Sequence, residues 1–317
     1  MNSETPPSEL AWIDWIRRQQ ILVSGSAARV SVGDDCAVLD LAHATGVLIT
    51  TDLLLDGRHF RLDRHAPQDV GFKAMGVNLS DIAAMAGRPR AAVVAVALPR
   101  DAAFEIAQGI HTGLAQMAAE FGVDLVGGDT NTWDGPLVVC VTVVGESPRQ
   151  GAILRSGACP GDAILVTGTL GGSSFRDRHL RPTPRVQEAS VLAATGAIHA
   201  MIDLSDGLSS DLPHILRESG QLGAILEEEA IPIHADAFEL SRCDGISPLT
   251  HALNDGEDFE LCLVCRPEDE DRLRSVAPPS ITLQRIGVVT PSPPLYLRRR
   301  DGTLREIEPG GFDHFRS

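Results

Sequence analysis

At 317 residues the chain exceeds what one hydrophobic core ordinarily serves, so two domains are the first expectation. With 43% hydrophobic and 22% charged residues it is not a disordered chain, and no apolar run reaches bilayer-spanning length. Asp and Glu number 43 against 27 Lys and Arg, a net charge of −16, which argues against nucleic acid and anionic membranes as partners. The polar start, Met1 to Glu9, carries no signal-peptide pattern, so the expected compartment is the cytoplasm. The six cysteines are scattered and read as core packing; Cys262 and Cys265, three apart in a strand, point to opposite faces. Lys73 is the only lysine, explained either by an arginine-biased composition or by a position that needs a compact ammonium.

Ser8 opens a short amphipathic helix with Leu10, Ile13 and Ile16 on one side and Trp12 and Trp15 beside them. Gly33-Asp34-Asp35 is an acidic turn entering a strand, and residues 47–51 are β-rich and run into Asp52. From 67 to 86 the period becomes helical: Met75, Leu79, Ile82 and Ala86 make the buried stripe, while Asn78 and Asp81 share another face. A strand over 91–98, a helix over 101–121, a strand over 123–126 that stops at Gly127-Gly128-Asp129-Thr130, and a strand over 136–144 complete this half. Residues 146–161, rich in Gly, Pro, Ser and Arg, read as a junction dividing the chain into 1–145 and 146–317. Beyond it come a strand over 163–167, a glycine-rich turn over 168–174, a helix over 186–195, and strands near 224–226, 259–265, 281–289 and 295–298. After the apolar Ala200-Met201-Ile202, Ser205 or Asp206 is the expected N-cap of a helix striped by Leu208, Leu212 and Ile215.

There is no Walker loop, no Rossmann glycine fingerprint, no H-E-x-x-H and no G-x-S-x-G. What recurs is a small residue beside an acid at a strand end: Gly33-Asp34-Asp35, Thr50-Thr51-Asp52, Gly128-Asp129, Asp203 to Asp206, and Gly256-Glu257-Asp258. Each alone suits an Asx turn or a helix cap. Together they suit phosphate and magnesium, because glycine admits phosphate to the backbone and Mg²⁺ takes only about one or two carboxylates besides phosphate and water. Asp203, Asp206 and Asp211 crowd three like charges, so capping and cation binding both stay open there. Arg155 in the junction is a phosphate clamp or a solvated arginine, and His59 an anion contact or a structural histidine. The turn over 168–174 is a phosphate cradle or a plain turn.

The stretches GDDCAVL, TTDLLLDGRHF, FKAMGVNLSDIAAMAGRP, GGDT, LRSGACPGD, TGTLGG, HLRPTPRV, IDLSDGLSSDL, GEDFELCL and GFDHF run in order from Gly33 to Phe315. In that combination the chain resembles the thiamine-monophosphate kinase family of the PurM-like (aminoimidazole-ribotide-synthetase-like) superfamily. The resemblance implies a two-domain α+β fold, with N-terminal domains pairing in a homodimer around a barrel-like core and a C-terminal α/β sandwich domain. It implies transfer of the ATP γ-phosphoryl group to thiamine monophosphate, assisted by several Mg²⁺ ions and a monovalent cation such as K⁺. By motif, Asp35, Thr50, Thr51, Asp52, Asp81, Asp129, Asp203 and Asp206 would hold metal; Gly128, Asp129, Arg155 and Ser205 would contact ATP; His59, Glu257 and Phe312 would contact the thiamine part. Asp211 has no counterpart in that pattern and reads as structural. A phosphate oxygen is already anionic, so no general base, and hence no catalytic residue of that kind, is expected. Three departures stand out: a short segment after Gly172, an extra charge at Asp255 beside the expected substrate site, and Phe312 where Tyr or Trp is usual. The alternatives are another ATP-using enzyme of the superfamily, such as the cyclase, and a nucleotide-binding dimer without catalysis.

Overall fold

A computed structural model describes residues 28–30, 37–39 and 46–311. The expected N-terminal helix, Asp34, Asp35 and Phe312 lie outside the described residues. The first half forms a six-stranded sheet from β1 (Ala28–Val30), β2 (Ala37–Leu39), β3 (Val47–Leu55), β4 (Arg88–Pro99), β5 (Asp124–Trp133) and β6 (Val138–Glu146), in the order β1-β2-β3-β6-β4-β5. Two helices, α1 (Pro67–Ala84) and α2 (Ala103–Phe121), cover one face. The stripe expected on α1 is realised: Met75, Leu79 and Ile82 are buried with Ile110, Leu114 and Met117 of α2 and Val139, Val141 and Val143 of β6. The helices cross at two glycines. A Cβ on Gly71 would lie 2.0 Å from the Ile110 carbonyl oxygen, and one on Gly113 1.8 Å from that of Gln68.

The second half forms a seven-stranded sheet from β7 (Ala163–Val166), β8 (Ile198–Asp203), β9 (Gly223–Glu227), β10 (Leu261–Cys265), β11 (Gln284–Thr290), β12 (Leu295–Arg298) and β13 (Leu304–Glu306), ordered β13-β12-β9-β11-β7-β10-β8. Within this sheet only β12 and β9 pair in parallel. Both faces of β10 are buried, which explains its uninterrupted apolar sequence. Leu263, Cys265 and Met201 join the core around α1. Cys262, Val264 and Ile202 instead pack with Leu212 and Ile215 of helix α4 (Leu208–Glu218), so Cys262 and Cys265 do face opposite ways. The helix expected near 186–195 is α3 (Val186–Ala193).

Several expectations change. The strand expected to stop at Gly127 continues through Gly127-Gly128-Asp129-Thr130 as part of β5, held by parallel pairing with β4. Gly128 is needed there because a Cβ would fall 1.9 Å from the Val94 carbonyl oxygen. Helices α5 (Ala235–Asp244), α6 (Pro248–Asn254) and α7 (Glu270–Val276) occupy a region read only as strands and connections. Their cap signals were legible: Ser247 accepts from the Thr250 N–H ahead of Pro248, and His234 accepts from that of Asp236. Cysteine is not uniformly core, since Cys159 and Cys243 are exposed. No helix among the described residues is long and apolar enough to cross a membrane.

Gly71→Ala or Gly113→Ala drives a methyl group into facing helix backbone. Each is expected to destabilise the protein by about 1–3 kcal/mol, read as a lower midpoint of thermal unfolding.

Candidate functional site

One face of α1 meets the second half of the chain through Ser80 and Lys73, besides the more exposed Asp69–Arg181 ion pair. At one end Ser80 Oγ donates to Asp203 Oδ2 at 2.6 Å, and Asp203 is buried at the end of β8. Two turns earlier, Lys73 Nζ bonds to Glu257 Oε1 and donates to the His59 carbonyl oxygen at 2.8 Å. Residues seven apart share a helix face about 10.5 Å apart along its axis. Asp81, next to Ser80, accepts from the Thr50 hydroxyl on β3. Asp52 lies two residues beyond Thr50, on the same face of the strand and about 7 Å along it.

The loops carrying Asp203 to Asp206 and Gly256 to Glu260 are tied to each other by backbone. Leu204 N–H donates to the Glu260 carbonyl (2.8 Å), Phe259 N–H to that of Leu204 (3.0 Å) and Glu257 N–H to that of Ser205 (2.7 Å). A Cβ on Gly256 would sit 2.5 Å from the Ser205 carbonyl oxygen, so glycine there permits the close approach. Neither Ser205 nor Asp206 is the N-cap of α4; Gly207 occupies that position at φ 102°, with no side-chain cap bond of its own. The loop is instead held from behind, where Asp211 Oδ2 accepts from the N–H groups of Asp206 and Gly207, both at 3.0 Å. Burial pushes the Asp211 carboxyl well up, and the charges of Asp206 and Asp203 add to this. The structural reading of Asp211 is therefore the right one.

Other acids have similar internal duties. Asp255, the extra charge noted beside Glu257, accepts from the Gly172 N–H at 2.7 Å and pairs with His251. Asp258 accepts from the Gly171 N–H at 2.9 Å and from Arg178 at 3.0 Å. The amides of the Gly171-Gly172 turn are thus occupied by the chain's own carboxylates, and the turn is a plain one, not a phosphate cradle. Glu260 is buried and bonded to Arg185 and to Thr167 Oγ1 (2.5 Å). Arg155 lies beside β8, where Leu154 accepts from the Met201 N–H at 3.0 Å, and its positive charge acts on Asp211.

Strand register separates the remaining predicted residues. Directly opposed residues share a sheet face, and Asp52, Val141, Val94 and Gly128 form one such row toward the helices. Leu53, Cys140, Ala95 and Asp129 form the next, toward the uncovered face. Asp129 is therefore on the opposite face from Asp52 and three strands, about 14 Å, away. Thr51 also points outward, bonded to Thr142 Oγ1 (2.9 Å) and the Val141 carbonyl (3.1 Å). The fold thus brings Thr50, Asp52, Asp81 and Asp203 to one end of the α1 face and His59 and Glu257 to the other, with Ser205 and Asp206 running from Asp203 to the Glu257 loop. The first group is all hard oxygen donors, which suits Mg²⁺. Beside it Asn78 Oδ1 is buried with no hydrogen-bond partner among the described residues.

Two residues of this site lay outside the predicted set. Lys73 is 1% exposed and ion-paired with Glu257; burial lowers its value while the Glu257 carboxylate raises it, and its being the sole lysine was the one available signal. His179 is buried with Nδ1 unpartnered among the described residues, and its only signal was its place in the HLRPTPRV stretch. Burial lowers the His179 value, and the charge of nearby Lys73 lowers it further.

Comparison with known proteins gives consistent matches. The AIR synthase related protein N-terminal domain matches residues 33–147, and its C-terminal domain matches 159–299. The chain is 41% identical to a thiamine-monophosphate kinase of Rhodopirellula baltica, over 90% of this chain and 91% of that one. It is 36% identical to one of Haemophilus influenzae, over 96% and 97%. The solved structure of AaThiL complexed with AMPPCP and TMP superposes with a TM-score of 0.81 at 27% identity, covering 97% of each chain.

The buried Asp258 carboxyl makes stability depend on pH. Burial pushes it up to about 7, against the Gly171 N–H and Arg178, from an ordinary 3.8. Between about pH 4 and 7 the folded chain keeps a proton that the unfolded chain has released, so this group's contribution is complete below that window and is lost as pH rises through it. In Asp258→Asn the decline in unfolding free energy across the window should shrink by on the order of 2–4 kcal/mol, measured by denaturant titration at its two ends.

Proposed function

The chain belongs to the thiamine-monophosphate kinases of the AIR synthase related family, and from that membership we infer that it transfers the γ-phosphoryl group of ATP to thiamine monophosphate, yielding thiamine diphosphate and ADP. The observation that carries the reading is the two-ended α1 face, with acids and hydroxyls at one end and the Lys73–Glu257–His59 group about two helical turns away. Such a site can hold a polyphosphate at one end and the ring system of an acceptor at the other. AaThiL, the structural neighbour, is complexed with an ATP analogue and TMP together.

The attacking atom is a phosphate oxygen, so no side chain has to remove a proton, and none is assigned that task. The obstacle is repulsion between two polyanions in a strongly acidic protein. We propose that Thr50, Asp52, Asp81, Asp203 and Asp206 hold magnesium, with Asp35 added on its motif alone. Bound magnesium supplies charge neutralisation and in-line alignment of the phosphates. The chain's own part is rigidity. Thr50 and Ser80 orient Asp81 and Asp203, and Asp211 holds the Asp206-Gly207 backbone. Ser205 and Arg155 are assigned to ATP, and His59, Glu257 and Phe312 to the thiamine part. The N-terminal unit is taken as 1–145 and the C-terminal unit as 146–317, in keeping with one sheet ending at Glu146 and the other beginning at Ala163.

A homodimer is part of this proposal. The uncovered face of the first sheet exposes Leu53, Val93, Val126 and Val144, with Leu53 at 52% and Val126 at 63%. An apolar sheet face of this kind is covered in stable proteins, and a second copy closing a barrel-like core would cover it symmetrically. Asp129 and Thr51 lie on that face. From there Asp129 would serve ATP and metal in the partner's site, not in its own, with Gly128 assigned to ATP on its motif.

Purified protein given ATP, Mg²⁺ and thiamine monophosphate should form thiamine diphosphate and ADP in equal amounts; ATP binding without turnover would overturn the reading. Asp81→Asn should lower turnover by about a hundredfold or more while the protein stays folded. An Asp81→Asn enzyme with normal rate and magnesium dependence would remove Asp81 from the metal set. Leu53→Arg or Val126→Arg should shift the species seen by sedimentation from dimer to monomer.

A further inference from the structure

Lys73 is the only lysine in the chain and one of its most buried side chains, at 1% exposure. Burying an ammonium is costly unless it is paired and hydrogen-bonded. Here both conditions are met by groups distant in sequence: the Glu257 carboxylate, 184 residues on, and the His59 carbonyl, 14 residues back. Both partners are fixed locally. Glu257 sits at φ 53°, and Leu55 N–H donates to His59 Nδ1 at 3.0 Å, folding the imidazole back onto its own turn. Glu257 is engaged by Lys73 through Oε1 and keeps 30% of its side chain exposed. Beside the pair, His179 presents a buried ring nitrogen with no partner among the described residues. A polar atom left open this way next to a held carboxylate is what a site for a polar ligand provides.

We propose that Lys73 is a positioning residue for the acceptor end of the site: its ammonium holds the Glu257 carboxylate and the His59 turn in the arrangement that receives the aminopyrimidine-bearing part of thiamine monophosphate. This rests on the kinase reading above. A carboxylate held by one oxygen can accept from a ring amino group, and pairing with Lys73 removes the net charge that would otherwise repel the substrate's phosphate. Arginine does not replace it, because a guanidinium is larger and brings five donors to a space that offers an ammonium two acceptors. Lys73 acts through its partners and touches no reacting atom.

The sole lysine makes the test direct. Protein labelled at the lysine ε-carbon gives one lysine side-chain resonance, that of Lys73, in the unmodified enzyme. Thiamine monophosphate alone should shift it saturably, and ATP with Mg²⁺ alone should leave it in place. In Lys73→Met, KM for thiamine monophosphate should rise about tenfold or more while KM for ATP and kcat stay within about twofold, and Lys73→Arg should not restore it. A resonance unmoved by saturating thiamine monophosphate overturns the proposal, and if Lys73→Met does not fold this measurement decides alone. A Lys73→Met enzyme that is merely less stable, with both KM values unchanged, overturns it too. Absence of thiamine diphosphate formation by the unmodified enzyme would instead overturn the kinase reading.

Discussion

The structure depends on one face of one helix. Ser80 and Lys73, two turns apart on α1, each form a polar contact with the second half of the chain, to Asp203 and to Glu257. Because the helix is rigid, the distance between those contacts is set at about 10.5 Å by its rise and not by the loops that bear the partners. The loops in turn are laced to each other by three backbone hydrogen bonds, so neither can move alone. A buried ammonium at one end is offset by a carboxylate and a carbonyl; a buried carboxylate at the other is offset by a hydroxyl. Losing either member leaves a desolvated polar group, which makes the alignment of the two halves strict.

The surplus of acids resolves into two populations once partners are known. Asp211, Asp255, Asp258 and Glu260 accept from the chain's own backbone or arginine donors and shape turns. Asp81 and Asp203 accept from hydroxyls, which orient a carboxylate without neutralising it. In the kinase reading proposed above, Asp81 and Asp203, with Asp52 and Asp206, are the carboxylates assigned to a divalent cation. The chain's sole lysine is not among them. It lies at the other end, against Glu257 and His59, which we assign to the thiamine ring system.

The first sheet shows the same division by face. Its helix-covered side carries Thr50 and Asp52, and its bare side carries Leu53, Val126, Thr51 and Asp129. A side-chain period of two makes the alternation inevitable: side chains on adjacent residues of a strand point to opposite faces. Symmetric pairing of the bare faces would answer both the exposed apolar area and the stranded Asp129.

Much of this was legible without coordinates. The helical stripe of Met75, Leu79 and Ile82, the alternation of strands and helices before residue 146, the opposite faces of Cys262 and Cys265, and the spaced acidic motifs follow from periodicity and local chemistry. What local pattern does not encode is which distant groups meet. That Lys73 is buried against Glu257, that Asp255 and Asp258 occupy the amides of the Gly171-Gly172 turn, and that β5 runs on through Gly128 because β4 pairs with it, all depend on contacts over tens to hundreds of residues. The sequence by itself determined the family, the two-part organisation and the supply of carboxylates. Tertiary structure alone decided which carboxylates accept from the chain's own backbone and arginines and which sheet face each strand acid takes, because that choice is made by strand register and by close packing between segments far apart in the chain.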